Sequence, residues 1–374
     1  MPRPNTARST SEEERDPRAL RATPSGTRAF CQRFEGSFAK DYFRKTTFGL
    51  GVSSIGIGTY LGDPTDAIDA EYEAALSRAI RNGINVVDTA INYRAQRSER
   101  AVGAVLRRLI ASGEVSRDEI VICTKGGYVP LDQHPPASRE AYLEYVQREF
   151  IDTEVLTAKE LVGGGHSLAP RFIKYCLAKS RQNLGLRTID TYYVHNPGQQ
   201  LGAVTRDRLL HRLRDAFSAL EEAADRGEIG VYGVATWDSL RLPPDSPQHL
   251  ELADLVGVAR DIAGDRHRFR AIQLPINLGM REAAVAQTQT IDGRLVTALE
   301  AADHLGVTVV ASATLMQSKL AAGLPDEARA ALPGFSSDAQ RAVAFTRRLP
   351  NVDVALVGMK QSEHVDDTLQ AGRV

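Results

Sequence analysis

The chain has 374 residues, of which 43% are hydrophobic and 25% are charged, and its formal net charge is −1. This composition is typical of a globular protein, and the balanced charge argues against a nucleic-acid partner or an anionic membrane surface. No apolar run approaches the roughly 20 residues of a membrane span, and the amino terminus lacks the apolar core of a signal peptide. The three cysteines are scattered and form no CxxC pair, so we expect no metal site, no disulfide framework and a cytoplasmic location.

The amino-terminal segment differs from the rest in composition. Residues 1–28 are rich in Arg, Glu, Ser, Thr and Pro and carry almost no large apolar side chains, which predicts a disordered arm. Aromatic residues at a spacing near four between Phe30 and Phe48 predict a short helix packed on the body. Residues 29–374 are predicted to form one domain.

From there on, short apolar runs alternate with helical stretches. Runs such as Ile120–Cys123 are almost wholly apolar, as in parallel strands covered on both faces. The pattern predicts a single-domain α/β protein, a (β/α)₈ TIM barrel. An open doubly wound sheet is the rival, but Gly49, Gly51, Gly56 and Gly58 precede or lie inside the first strand and open no helix. The predicted strands are Ser54–Tyr60, Asn85–Ala90, Ile120–Lys125, Asp190–His195, Val231–Ala235, Ala271–Ile276, Thr308–Ser312 and Val354–Gly358, and the predicted helices are Tyr72–Asn82, Glu99–Ser112, Phe172–Leu184, Leu209–Asp225, Leu295–Leu305 and Ser362–Ala371.

Two long excursions interrupt this rhythm. One is a loop insertion after the third strand, Gly127–Ala169, and the other is Asp238–Glu251. Loops that follow barrel strands lie on the active-site face, so both are candidate walls of a substrate pocket or, alternatively, solvent covers. The string Gly163-Gly164-Gly165-His166 is either a lid hinge or a surface loop.

Chemistry-bearing side chains stand at three consecutive strand ends. Asp88 and Tyr93 follow the second strand, Lys125 ends the third and His195 ends the fourth. Each of these residue types alone is more often a cap, a solvated tip or a turn former, but a barrel would bring all four to one mouth. There an ammonium kept charged by a carboxylate would lower the pKa of the phenol and make a proton donor suited to carbonyl reduction.

These residues lie in strings that resemble a known family. "DTAINY", "SERAVG", "TKGG", "IDTYYVHNP" and "YGVATW", in this order, resemble the aldo-keto reductase superfamily over roughly residues 47–372, and in particular a bacterial branch with the "GVATW" and "HNP" strings. The resemblance implies a barrel and a catalytic tetrad of Asp88, Tyr93, Lys125 and His195.

The resemblance also implies that NADP(H) binds in an extended form. Three departures from the family pattern, Ala235-Thr236 for a Ser-Asn pair, Ala313 for a stacking aromatic and His364 for an arginine, leave the choice between NADPH and NADH open. The implied cofactor-binding residues are Gly58, Thr59, Tyr60, Asp88, Thr236, Gln273, Thr314, Leu315, Met316, Gly358, Met359, Lys360, His364 and Asp367.

The sequence therefore predicts an NADP(H)-dependent reductase of an aldehyde or ketone, with Tyr93 as general acid. We expect a small-molecule carbonyl substrate and a monomer or weak homo-oligomer. A nucleotide-binding regulatory protein with little turnover, and a carbonyl-centred elimination or isomerisation enzyme, are the alternatives.

Overall fold

The computed structural model describes residues 20–374. Its first helix is Pro24–Phe34, capped by the Thr23 side chain, which accepts a hydrogen bond from the Gly26 amide at 3.0 Å. Residues 24–28, assigned above to the arm, are therefore helical, and residues 1–19 lie outside the described part of the chain. The short helix predicted between Phe30 and Phe48 is confirmed as far as Phe34 and continues as the 3₁₀ turn Glu35–Ser37. The rest of that segment is not helical, because Phe43–Lys45 pairs with Gly51–Ser53 in an antiparallel hairpin.

Eight parallel strands close into a barrel, which confirms the predicted fold class. In chain order we label them β1 to β8; neighbours in the barrel are consecutive strands, and β8 pairs with β1. All eight were predicted, with bounds that differ by two residues or fewer. The strands are β1 Ile55–Gly58, β2 Val86–Asp88, β3 Val121–Gly126, β4 Ile189–His195, β5 Ile229–Ala235, β6 Phe269–Pro275, β7 Thr308–Ser312 and β8 Val354–Gly358.

A helix follows each strand, and we label these α1 to α8. They bury apolar faces against the strands; in α1, for example, Leu76 and Ile80 are both buried. The helices α5 and α7 were not predicted from the sequence, and α6 was predicted to begin three residues too early. The helices are α1 Asp66–Arg81, α2 Arg97–Ala111, α3 Pro170–Leu184, α4 Arg206–Asp225, α5 Leu252–Ala263, α6 Ala298–His304, α7 Asp338–Arg347 and α8 Ser362–Gln370. Within residues 20–374, three further α-helices lie in the loops, at Arg139–Val146, Glu282–Val285 and Asp326–Ala331.

The amino-terminal hairpin closes the end of the barrel opposite the strand ends that carry Asp88 and His195. Leu50 and Val52 share one buried cluster with strand residues such as Val121 and Val354. Because the hairpin immediately precedes β1, this cluster lies at the amino ends of the strands. Since the hairpin covers the amino ends, we expect a functional site at the carboxyl ends of the strands.

The insertion after β3 packs on the outside of the barrel. Its Phe150 is fully buried and makes edge contacts with Phe172 and Tyr175 of α3, at ring-centroid distances of 5.8 and 5.4 Å. The excursion after β5 is held by a second hairpin, Gln287–Ile291 with Arg294–Thr297, whose Gln289 donates hydrogen bonds to the Leu240 and Leu250 carbonyls. Both excursions are thus mainly packed against neighbouring elements.

The start of α6 shows why a boundary was wrong. Thr297 and Glu300 form a capping box, in which each side chain accepts a hydrogen bond from the other residue's backbone amide. The helix therefore begins at Ala298, and Leu295 belongs to the hairpin.

Among residues 20–374, no helix combines the length and the apolar character that a membrane crossing requires.

Candidate active site

A cavity of about 520 Å³ opens at the carboxyl ends of the barrel strands. All eight strands contribute to it, through their carboxyl ends or through the loops that follow them. The contribution of β3 is Tyr128, in the loop after that strand. The cavity is lined by Gly58, Thr59, Tyr60, Leu61, Asp88, Asn92, Tyr93, Tyr128, His195, Asn196, Ala235, Thr236, Trp237, Gln273, Ser312, Ala313, Thr314, Leu315, Gln317, Ser318, Leu356 and Gly358.

A buried ion pair lies at the base of this cavity. The Lys125 ammonium donates to Asp88 Oδ1 at 2.5 Å and to the Thr89 carbonyl at 2.9 Å, and the Gln273 amide donates to Asp88 Oδ2 at 2.8 Å. Both charged side chains are almost inaccessible to solvent, at 1% and 5% exposure. Burial opposes the charge on Lys125, but Asp88 and Tyr93 reverse that effect and raise the pKa of the ammonium above its usual value. Burial raises the pKa of Asp88, and Lys125 and Gln273 oppose that shift.

Tyr93 lies directly over this pair. The Lys125 Nζ atom is 4.8 Å from the centre of the tyrosine ring, and a hydrogen bond from Lys125 favours the phenolate. Burial nevertheless dominates, and the pKa of Tyr93 is raised above its usual value of about 10. The expectation that the ammonium leaves the phenol more acidic than a free tyrosine is therefore wrong for the protein alone, because desolvation outweighs the ammonium.

His195 faces Tyr93 across the cavity, with 6.1 Å between the ring centres. Burial lowers the pKa of His195 well below its usual value, and Lys125 and His166 add to that shift. At neutral pH the imidazole is uncharged and carries a single N–H. Within residues 20–374 its Nδ1 atom has no hydrogen-bond partner.

The predicted cofactor-binding residues divide into two groups. The cavity is lined by Gly58, Thr59, Tyr60, Asp88, Thr236, Gln273, Thr314, Leu315 and Gly358. The others are not among the residues that line the cavity and stay predictions. Met316 lies in a turn next to the lining residues, Met359 is buried in the core, and His364 is exposed. The Lys360 ammonium is 3.7 Å from the Glu71 carboxylate, and the Asp367 carboxylate accepts hydrogen bonds from Ser337 and Gln340.

Several lining residues were not predicted. The last residue of β7, Ser312, and two residues of the loop that follows, Gln317 and Ser318, line the cavity. The backbone of this loop has positive φ angles at Ala313 and at Met316–Ser318, which no local sequence pattern predicted. Asn92 and Asn196 are adjacent to predicted residues and could have been found from that position. Trp237, 45% exposed, lies at the cavity wall.

The insertion contributes little of the wall. Of its described residues, only Tyr128 lines the cavity, and no residue of Asp238–Glu251 does. The prediction that these excursions form the pocket walls is therefore wrong apart from Tyr128, because both are occupied in packing against helices and the second hairpin.

Solved structures share this architecture. An aldo/keto reductase from Klebsiella pneumoniae in complex with NADP and acetate aligns with a TM-score of 0.59 at 20% identity, covering 89% of this chain and 90% of that one. An aldo-keto reductase from Bacillus halodurans in its holo form aligns with a TM-score of 0.58 at 18% identity, covering 88% and 90%. At such identities the likeness shows a barrel of the same fold.

Sequence comparison supplies the family. The model of the aldo/keto reductase family matches residues 54–242, about half of the chain and all the strand ends that carry Asp88, Tyr93, Lys125 and His195. The chain therefore belongs to the aldo/keto reductase family. It is 28% identical over 197 residues to D-threo-aldose 1-dehydrogenase from Pseudomonas sp., and 30% identical over 127 residues to aldo-keto reductase family 1 member D1 from Mus musculus. These matches cover 50% and 33% of this chain and span only 51% and 37% of those relatives.

Proposed function

We propose that this protein is an NADP(H)-dependent oxidoreductase that reduces an aldehyde or ketone to an alcohol, with Tyr93 as the general acid. The observation that carries the proposal is the buried Lys125–Asp88 pair beneath the ring of Tyr93, at the base of an open cavity. Membership of the aldo/keto reductase family and the NADP bound in the Klebsiella pneumoniae structure support it.

The residues present fit a nicotinamide dinucleotide. The Thr236 and Thr314 hydroxyls border the cavity, are buried, and have no hydrogen-bond partner among residues 20–374. Buried polar groups without partners are costly, so a polar ligand is expected to satisfy them. Gln273, oriented by its hydrogen bond to Asp88, offers a side-chain amide on the same wall. We propose that these residues, together with Gly58–Tyr60 and the loop after β7, hold the cofactor.

When bound, the dinucleotide supplies the hydride, and the residues of the chain supply the proton and the binding energy. Because burial raises the pKa of Tyr93, the phenol is protonated at neutral pH and has a proton to donate to the developing alkoxide. The phenolate left behind is stabilised by Lys125, which Asp88 keeps charged. The neutral imidazole of His195 does not act as the acid; its one N–H orients the carbonyl oxygen toward Tyr93.

Tyr93→Phe tests this assignment, with Tyr175→Phe as the matched control, because Tyr175 lies on α3 and does not line the cavity. We expect Tyr93→Phe to lower turnover by about 10²- to 10⁴-fold, the contribution of a positioned general acid, while the Kd for NADPH is unchanged. Tyr175→Phe retains turnover. Substrates are a panel of aldehydes and ketones that includes aldoses, the class named in one relative's activity, assayed in both directions.

The same assay separates the alternatives. Tight NADPH binding without single-turnover oxidation by any carbonyl compound favours a nucleotide-binding regulatory protein. Product formation without net cofactor consumption favours an elimination or isomerisation enzyme. Turnover that survives in Tyr93→Phe contradicts the proton-donor role.

A further inference from the structure

A chain of hydrogen bonds runs from α4 through the insertion to the end of β4. Arg212 of α4 donates to Gln200 Oε1, Gln200 Nε2 lies 2.7 Å from His166 Nδ1, and His166 Nε2 lies 2.7 Å from the main-chain carbonyl oxygen of His195. His166 belongs to the insertion and is fully buried, whereas Gly163 and Gly164 of the same string are exposed, so this string is a surface turn that ends in a buried histidine.

This chain determines which nitrogen of His166 carries the proton. Because Arg212 has only donors, it fixes the oxygen of the Gln200 amide toward itself and the NH₂ group toward His166. Nδ1 of His166 must then accept, so Nε2 bears the hydrogen and donates it to the His195 carbonyl. Burial lowers the pKa of His166 to about 4, so the ring is neutral at physiological pH and holds this tautomer.

The His195 backbone needs such an anchor because β4 ends there. The next residue, Asn196, adopts a left-handed conformation with φ 46° and ψ 55°, so the chain turns sharply out of the barrel at this peptide. A hydrogen bond from the Asn196 amide to the Ala235 carbonyl, at 2.6 Å, holds one side of that peptide. The bond from His166 to the His195 carbonyl holds the other side.

The Tyr128 side chain contacts the same turn at the end of β4. Its ring makes edge contacts with both histidines, His195 and His166, at 4.9 Å in each case, and its hydroxyl accepts a hydrogen bond from Asn196. Gly127, at φ 146°, brings these groups together, since a Cβ atom there would lie 3.0 Å from the His195 oxygen and 3.2 Å from His166 Nε2. The close approach of the insertion to β4 therefore depends on the absence of a side chain at 127.

We infer that His166 is a positioning residue for His195: a neutral histidine in the insertion, with its tautomer set by Gln200 and Arg212, fixes the peptide from which the His195 imidazole reaches the cavity. His166 does not line the cavity, so it acts through His195. This inference rests on the proposed function, in which His195 orients the carbonyl oxygen. It assigns to the insertion a role at the site other than that of a pocket wall.

The test compares His166→Leu, which removes the N–H donor, with His166→Gln, which retains one. Small displacements of an orienting group can cost up to about 100-fold in rate, so we expect kcat to fall by about 10- to 100-fold in His166→Leu, with the Kd for NADPH unchanged. His166→Gln restores most of that loss. Tyr142→Phe is the control, because it removes a different hydrogen bond to the same segment, from the Tyr142 hydroxyl to the Gly164 carbonyl at 2.8 Å, and should leave kcat unchanged.

A second variant and a second measurement keep the test decisive. Gln200→Leu removes the donor that sets the tautomer without changing His166, and should shift the ¹⁵N resonances of the His166 ring away from the Nε2–H form and lower kcat in the same direction. If His166→Leu fails to fold, Gln200→Leu carries the test. An unchanged kcat in folded His166→Leu, equal losses in the Leu and Gln variants, or an Nδ1–H tautomer in the wild type would each overturn the inference.

Failure of the proposed function gives a different result. If the wild type reduces no carbonyl compound, the ¹⁵N spectrum still decides whether His166→Leu moves the ring resonances of His195. Unmoved His195 resonances then overturn the positioning role, and moved resonances support it.

Discussion

The Lys125–Asp88 pair allows a prediction in which two single substitutions respond to pH in opposite directions. Asp88→Asn leaves the Lys125 ammonium, which is 1% exposed, with uncharged partners only: the introduced amide, the Thr89 carbonyl and the Tyr93 ring. Breaking a buried pair in this way costs about 3–5 kcal/mol of unfolding free energy. Lys125→Met costs a similar amount by leaving the Asp88 carboxylate, while the double variant Asp88→Asn/Lys125→Met leaves no buried charge and should be more stable than either single variant.

The pH dependence follows from what remains in each variant. In Asp88→Asn, burial lowers the pKa of Lys125 below the value of about 10.4 in the unfolded chain, so the unfolded state binds more protons and stability rises with pH through that window. In Lys125→Met, burial raises the pKa of Asp88 above the unfolded value of about 3.9, so stability is full below that value and is lost as pH rises through the folded pKa. Each slope has a limit of about 1.4 kcal/mol per pH unit.

Urea denaturation followed by circular dichroism, at several values from about pH 5 to about pH 9, measures both effects for the four proteins. The wild type serves as the reference at each pH. Slopes of the same sign in the two single variants, or a double variant less stable than both, would refute the reasoning that a desolvated, mutually neutralising pair lies beneath Tyr93.

Two further predictions follow from the same region. Because burial keeps His195 neutral and raises the pKa of Tyr93, kcat for carbonyl reduction should show no decrease near pH 6.5 and should decline only above about pH 10. A profile of kcat from pH 5 to pH 11 checks this prediction, and a half-maximal rate near pH 6.5 would contradict it. Arg94, which follows Tyr93, has a buried guanidinium that binds the Asp63 and Thr65 carbonyls and Asp69, yet its φ is 48°. Arg94→Ala should therefore lower the unfolding free energy by about 1.5–3 kcal/mol, because these hydrogen bonds are lost. Arg94→Gly should be more stable than Arg94→Ala by about 1 kcal/mol, because glycine tolerates the left-handed backbone. Equal stability of the two variants would show that this backbone is not strained.

The local sequence was sufficient for the barrel and for the placement of Asp88, Tyr93, Lys125 and His195. Continuous apolar runs such as Val354–Val357 indicate buried parallel strands, and parallel strands all present their carboxyl ends on one side. Residues at consecutive strand ends therefore had to meet, whatever the details of packing. Only short-range patterns and one general property of the fold were needed.

The tertiary structure alone decided the rest. The net direction of the Tyr93 pKa depends on how completely the phenol is desolvated, which the spacing of Tyr93 and Lys125 does not reveal. The insertion was expected at the pocket wall, but the apolar surface it shares with Phe172 and Tyr175 holds it outside the barrel. His166 follows three glycines in a string typical of a surface loop, yet it is buried where Gly127 allows two distant segments to approach within hydrogen-bonding distance. Burial and long-range contacts are sums over the whole fold, and no local segment contains them.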